Sequence, residues 1–224
     1  MRTAALLTVE EKNILIDAGP DIRMQALTYK MDHLQGFILT HSHYDHVSGF
    51  DDLKAYYFTQ ENRKLPCMML QETWDEFKDR HRYLMFSSDE IIPESPFFSW
   101  HILQGTGGKV LFEGVDIEYL TYYQGSTKVL GVRVDSLAYL TDIKEYDEEL
   151  LQRLKGVETL IVSAIRPQKT LKNFSLQDAL DFAKKVAPRQ TYLTHMAHEI
   201  DYNLVQASLP SDVHLAYDGL SFSF

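Results

Sequence analysis

The sequence predicts an α/β fold, with two sheets and helices outside them. Three observations carry that reading. Apolar runs of strand length alternate with windows in which apolar residues recur at helical spacing. From Phe97 to Leu140 the runs become short, aromatic and β-branched, which marks a β meander. Strands come first and last with helices between them, and no repeat, low-complexity tract or linker interrupts the chain. Residues 1–224 therefore read as a single domain.

The elements follow in order. Ile14–Ile16 is a short apolar run closed by the turn signal Asp17-Ala18-Gly19-Pro20. Asp21 to Lys30 has helical spacing, with Ile22, Met24 and Leu27 apolar. Phe37 to Thr40 is a buried-strand candidate. Ser48, with Asp51 three residues on, is placed to cap a helix running through Leu53, Tyr56 and Tyr57. Leu65 to Leu70 reads as a strand and Thr73 to Phe86 as an amphipathic helix. In the meander, strands are expected over Phe98–Ile102, Val115–Tyr123, Val129–Val134 and Leu137–Leu140, with Gly107-Gly108 and Gly125 as punctuation. A helix over Glu145–Leu154 precedes a strand over Thr159–Ser163. Helices over Leu176–Val186 and Tyr202–Leu209 then alternate with strands over Thr191–Thr194 and Val213–Tyr217.

Composition narrows the function. Hydrophobic residues are 45% and charged residues 24% of 224, the ordinary globular mix, which excludes disorder, a collagen-like fibre and a coiled coil. The net charge of −10 argues against a broad basic face for nucleic acid. One cysteine, Cys67, excludes a disulfide framework and a cysteine-based zinc knuckle, and its place within a strand suits a small buried apolar group. No apolar run approaches a membrane span and no signal-peptide pattern opens the chain, so a cytoplasmic protein is expected.

Nine histidines are the unusual count, and they cluster. His41-Ser42-His43-Tyr44-Asp45-His46 holds four candidate ligands in six residues. In an extended turn His41 and His43 point the same way, and Asp45 and His46 fold back around a second centre. Imidazole with carboxylate suits zinc, manganese or iron. Three apolar strands also end in Thr followed by a metal-capable residue: Thr40-His41, Thr141-Asp142 and Thr194-His195. Strand ends on one sheet edge are where sites are assembled, so these three are expected to converge. His198, three residues past His195, reads as a surface or supporting histidine. His33, His81, His101 and His214 carry no motif and are expected to be structural or exposed. Tyr119, Tyr122 and Tyr123 read as core and rim.

With H-x-H-x-D-H after a strand, the sequence resembles the metallo-β-lactamase superfamily, and within it the phosphoribosyl cyclic phosphodiesterase, or PhnP-type, branch. Leu15 to Asp21, Thr40 to His46 with Gly49 to Leu53, Gly131-Val132-Arg133, Tyr139 to Asp142, Thr194 to His198 and Ala216 to Leu220 carry the resemblance. It implies an αββα sandwich with two metals at the shared edge of the sheets. It also implies that the sandwich lacks the usual N-terminal strand or strands, since the matching segment begins near Arg2-Thr3. That would leave an edge exposed or paired in a homodimer. The implied ligands are His41 and His43 for the first metal, Asp45, His46 and His195 for the second, and Asp142 as the bridge.

Two positions depart from the family pattern. Gln124-Gly125 stands where the family has a His-Gly pair that ligates the first metal. Asn173, in Lys172-Asn173-Phe174-Ser175, stands where the family commonly has a histidine serving the leaving group. An amide hydrogen-bonds a phosphate but transfers no proton at neutral pH. Arg166, Lys169 and Lys172 give the preceding loop three positive charges and no acid, which suits substrate phosphate. The expected function is a metal-dependent phosphodiesterase using a metal-activated water on a small, cyclic or linear, phosphodiester, with one or two divalent ions. Asp45 would orient the water and Asn173 contact the substrate. The alternatives are a weakly catalytic or non-catalytic metal- or phosphate-binding member, and a nuclease of the RNase Z-like or exonuclease branch. The partner expected is a small phosphorylated substrate rather than nucleic acid or membrane.

Overall fold

The computed structural model of the chain describes residues 1–86 and 94–224. The chain forms two compact units. One is Met1–Gly105 with Leu111–Val115, and the other is Thr106–Val110 with Asp116–Phe224. A five-stranded sheet runs β1-β2-β3-β4-β5, and a seven-stranded sheet runs β12-β11-β10-β9-β8-β7-β6.

The first unit opens with a hairpin, β1 (Ala5–Val9) and β2 (Lys12–Ile16), paired antiparallel. Its turn is Glu10-Glu11, both left-handed, at φ 47 and 66. That two-residue geometry matches the right-handed strand twist but normally selects Asn-Gly. The expected set of elements has no β1 because two glutamates give no turn signal. After helix α1 (Ile22–Thr28) come β3 (Gly36–Ile38) and the four-residue helix α2 (Tyr44–Val47). A 3-10 turn over Phe50–Leu53 leads into α3 (Lys54–Thr59), then β4 (Leu65–Leu70), α4 (Gln71–Arg80) and β5 (Phe98–Leu103). The strands from β2 to β5 are parallel. Their core is aromatic: Phe50 lies 5.3 Å from Phe37, 4.7 Å from Phe77 and 4.6 Å from Phe98, ring centre to ring centre. Each such pair contributes about 0.5–1.5 kcal/mol beyond its buried area.

Two expectations shift here. Ser48 does not cap a helix; it ends α2, because the chain turns helical within the histidine motif. The amphipathic helix begins at Gln71, directly on β4, and stops at His81, with a 3-10 turn over Arg82–Leu84.

Apart from Leu111–Val115, the second unit carries β6 (Gly107–Phe112), β7 (Val115–Gln124), β8 (Thr127–Val134), β9 (Leu137–Leu140), helix α5 (Glu148–Arg153), β10 (Thr159–Ser163), α6 (Leu176–Val186), β11 (Gln190–Thr194), α7 (Tyr202–Ser208) and β12 (Val213–Leu215). Gly107-Gly108 starts β6 rather than a turn. A Cβ at Gly108 would sit 3.0 Å from the Tyr119 ring, so the absence of a side chain is what lets that ring lie over the strand. α5 begins three residues later than expected because Glu145 bridges to Tyr123, and Asp147 caps the helix through Leu150 N–H. α6 has the expected bounds, set by a capping box between Ser175 and Asp178. The strands from β9 to β12 are parallel, over a core that includes Leu140, Leu160, Val162, Phe174, Phe182 and Leu193. Among the described residues no helix is long and apolar enough to cross a membrane.

Candidate metal centre

In the first unit the parallel pairing Ile16↔Ile38 puts the C-terminal ends of β2 and β3 side by side. Asp17 follows β2 directly, left-handed at φ 64 and fully buried. Leu39-Thr40-His41 follows β3, with Leu39 N–H still bonded to Met68 C=O at 2.9 Å. A buried carboxylate must be fully hydrogen-bonded, and Asp17 is. Its Oδ1 accepts Thr40 N–H at 2.9 Å, and its Oδ2 accepts the Thr40 hydroxyl at 2.8 Å and faces His46 Nδ1 at 2.7 Å.

Those partners assign the imidazole protons. With the Thr40 hydroxyl hydrogen given to Asp17, Thr40 Oγ1 can only accept from His41 Nδ1, 3.0 Å away. His46 Nδ1–H donates to Asp17 in the same way. Both rings are therefore the tautomer protonated at Nδ1, with the lone pair on Nε2, the arrangement that orients metal-bound histidines elsewhere. His41 Nε2 lies 3.0 Å from His43 Nδ1, and the His41 and His46 ring centres are 4.2 Å apart. Asp45, in the first turn of α2, has its Oδ2 3.8 Å from His46 Nε2.

Two glycines allow this packing. Ala18 N–H bonds His46 C=O at 2.7 Å and Gly49 N–H bonds Ala18 C=O at 2.9 Å, clasping α2 against the loop after β2. A Cβ on Gly19 would fall 2.2 Å from Asp45 C=O, and one on Gly49 would fall 2.2 Å from Gly19 C=O. Neither position has room for a side chain.

In the second unit β9, β10 and β11 are parallel, so Asp142 and His195 leave the same sheet edge. Both are left-handed, at φ 54 and 57, a conformation Asp and His tolerate better than most residues. Asp142 Oδ2 is 3.2 Å from His195 Nε2, close to the edge of a tetrahedron with bonds of about 2.0 Å, which is about 3.3 Å. Thr141 Oγ1 donates to the same oxygen at 2.9 Å. Tyr122, buried in the core, fixes the end of β9 by donating its hydroxyl to Thr141 C=O at 2.7 Å.

Gln124 and Asn173 both reach Asp142 from the other side. Gln124 Nε2 donates to Asp142 Oδ1 at 2.6 Å and to Asn173 Oδ1 at 3.0 Å, and Asn173 Nδ2 donates to Asp142 Oδ1 at 2.8 Å. All three residues are buried. Gln124 Oε1 is buried without a hydrogen-bond partner. Asn173 is pinned between Thr170, whose hydroxyl accepts its N–H, and the cap of α6. In that cap burial works to raise the Asp178 carboxyl, but hydrogen bonds from the Ser175 N–H and hydroxyl, together with Lys144, bring it below its ordinary value.

The loop charges separate. Arg166 pairs with Glu199 at 3.3 Å, while Lys169 and Lys172 are exposed. His198 points outward, with its side chain 93% exposed, beside Glu199. His33 and His101 are exposed, and His81 stacks on Phe77 with ring centres 4.3 Å apart.

Both donor sets fit divalent cations. Each presents imidazole nitrogen and carboxylate oxygen, and in the first the Nδ1 hydrogens of His41 and His46 are turned to Thr40 and Asp17. Sequence reading assigned no role to Asp17, which appeared as a turn residue; the signal was the buried-strand pattern running straight into a lone acid.

The beta-lactamase superfamily domain model matches residues 12–196, a span that reaches from β2 past His195. An octanoyltransferase of Porphyromonas gingivalis is 28% identical over 98% of this chain, and the chain spans 44% of that relative's length. The anti-Pycsar protein Apyc1 of Paenibacillus harenae is 25% identical over 88% of this chain and 83% of its own length. Among solved structures, a diphosphatase from the PhnP family matches with a TM-score of 0.88 at 26% identity, covering 100% of this chain and 84% of that one. Zinc-bound PqqB from Methylobacterium extorquens shares the fold, with a TM-score of 0.73 at 14% identity over 99% of this chain and 87% of that one.

Proposed function

We propose, on the premise that this chain belongs to the metallo-β-lactamase superfamily, that it is a metal-dependent hydrolase of a small phosphodiester. The observation that carries the reading is the tautomer-fixed histidine set built on Asp17, together with the Asp142–His195 pair. In this reading His41, His43, Asp45 and His46 of the first unit and Asp142 and His195 of the second are the ligands of one or two divalent cations, zinc or manganese. The cations, when bound, supply Lewis acidity to the phosphoryl group and make a water nucleophilic at neutral pH.

The chain's own residues do the rest. Asp17 and Thr40 hold the His46 and His41 rings with the Nε2 lone pair presented for ligation. Asp45 accepts a hydrogen from the attacking water and so sets its direction. Asn173 has no proton to give at neutral pH and spends its N–H on Asp142, so the departing oxygen takes its proton from solvent. Lys169 and Lys172 draw in the anionic substrate. Arg166 contributes less, because Glu199 engages it. The name diphosphatase on the PhnP-family structure favours a phosphoryl substrate, and the net charge of −10 favours a small one over a long polyanion.

A second reading is a metal- or phosphate-binding member with little turnover, favoured by the commitment of Asn173 to Asp142. Steady-state kinetics on a chromogenic phosphodiester with manganese or zinc supplied separates the two. The hydrolase reading expects turnover that Asp45→Ala abolishes. It also expects a raised KM with little change in kcat when Lys169 and Lys172 are made neutral, the pattern of lost uniform binding. An octanoyl thioester is the counter-substrate, and preference for it would reject the phosphodiester. No turnover of either, with metal bound, favours the binding reading.

A further inference from the structure

We propose that Gln124 and Asn173 form an amide lock on Asp142 that makes this centre mononuclear, with Asp142 ligating through Oδ2 alone. The inference rests on the metal-dependent reading above. A carboxylate bridges two cations by giving one oxygen to each. Here Oδ1 already accepts two N–H groups, at 2.6 and 2.8 Å, which occupy both lone-pair directions of that oxygen. Oδ2 is the oxygen set beside His195 Nε2.

The lock is closed on itself. The second Gln124 N–H goes to Asn173 Oδ1, so each amide fixes the rotation of the other. Turning either amide to present its oxygen to Asp142 would bring two acceptors together in a buried site. The orientation keeps its geometry although it leaves Gln124 Oε1 buried without a hydrogen bond, at a cost of about 1–3 kcal/mol. Two acceptors, Asp142 Oδ1 and Asn173 Oδ1, compel that choice. A second cation at Oδ1 would have to displace both donors and would meet the positive ends of two N–H dipoles.

The backbone supports the lock from both sides. Gln124 is the last residue of β7, paired with Thr127 across the turn at Gly125. Asn173 is followed by Phe174, whose N–H bonds Ile143 C=O at 2.9 Å, one residue past Asp142. The two amides and the carboxylate are thus held by backbone contacts as well as by one another.

The test is metal stoichiometry, read without turnover. The unmodified protein is saturated with zinc, gel-filtered and analysed for metal per chain, and a parallel manganese sample is examined by electron paramagnetic resonance. The lock predicts about one ion per chain and the resolved hyperfine pattern of isolated manganese. Gln124→His with Asn173→Ala removes two donors and adds an imidazole, and it is expected to raise the count to about two and to broaden the manganese signal by coupling. Two tightly held ions in the unmodified protein, or a coupled manganese signal there, overturn the lock while leaving the hydrolase reading intact. No bound metal at all overturns both. The measurements on unmodified protein decide the matter even if the variant does not fold.

Discussion

Replacing Asp17 with asparagine tests the tautomer argument with the loss of a single charge and almost no change in shape. Three donors converge on the carboxylate: Thr40 N–H, the Thr40 hydroxyl and His46 Nδ1–H. An amide offers one acceptor oxygen and turns two hydrogens toward the remaining donors. If the oxygen keeps Thr40, the amide N–H faces His46 Nδ1 and at least one buried donor is stranded. That costs about 1–3 kcal/mol of stability in metal-free protein. The ring can escape by moving its proton to Nε2, but then the nitrogen proposed to hold metal carries a hydrogen. Affinity is therefore expected to fall by about 10–100-fold, the usual cost of losing such a supporting partner, or about 1.4–2.7 kcal/mol. Isothermal titration with zinc gives the affinity, urea unfolding of the metal-free protein gives the stability, and nitrogen-15 imidazole spectra give the tautomer. An Asp17→Asn protein that binds zinc within about twofold of the original, with the His46 proton still on Nδ1, would refute the reasoning.

Three further outcomes follow from the same geometry. Gly49→Ala drives a Cβ to 2.2 Å from Gly19 C=O, a backbone atom that cannot rotate away, so urea unfolding should show a loss of about 3 kcal/mol or more. Burial pushes the Cys67 thiol well above its ordinary pKa, so a thiol reagent at pH 8 should react with native protein only at the unfolding rate, and fast stoichiometric labelling would contradict this. His81 is held below its ordinary value, chiefly by burial and partly by Arg80, against the opposing pull of Phe77 C=O and Asp51. The unfolded chain then binds the extra proton first. Stability is therefore full above the unfolded value and is lost as pH falls through it toward the folded one. Measured between pH 7 and 5, that loss should be smaller in His81→Phe, and an equal slope in both proteins would sink the assignment.

The fold class was legible because its signals are local, and the candidate ligands stand out in the sequence for the same reason. A strand-length apolar run leading into His41-Ser42-His43 or Thr141-Asp142 states both the scaffold and the donor. The hairpin of β1 and β2 was not legible, because Glu10 and Glu11 take left-handed conformations for which glutamate carries no propensity. The helix α2 hid inside the histidine motif, since four residues are too few to show a period. Gly107-Gly108 read as a turn because the contact that needs Gly108, the Tyr119 ring, comes from the neighbouring strand β7, eleven residues on. Asp17 and the Gln124–Asn173 pair were read only singly. Their roles come from meetings with Thr40, His46 and Asp142, and no spacing rule connects residues 124, 142 and 173.

The clasp between Gly19 and α2 bears on how variation in this protein would be interpreted. In a saturation screen scored by metal-dependent growth or colour, residue 19 would be as intolerant as residues 41 or 46, although it donates to no ion. An analyst ranking positions by intolerance alone would place it among the proposed ligands. Raising the metal concentration separates the two kinds of damage, since excess ion rescues a weakened donor but cannot make room where Asp45 C=O already stands.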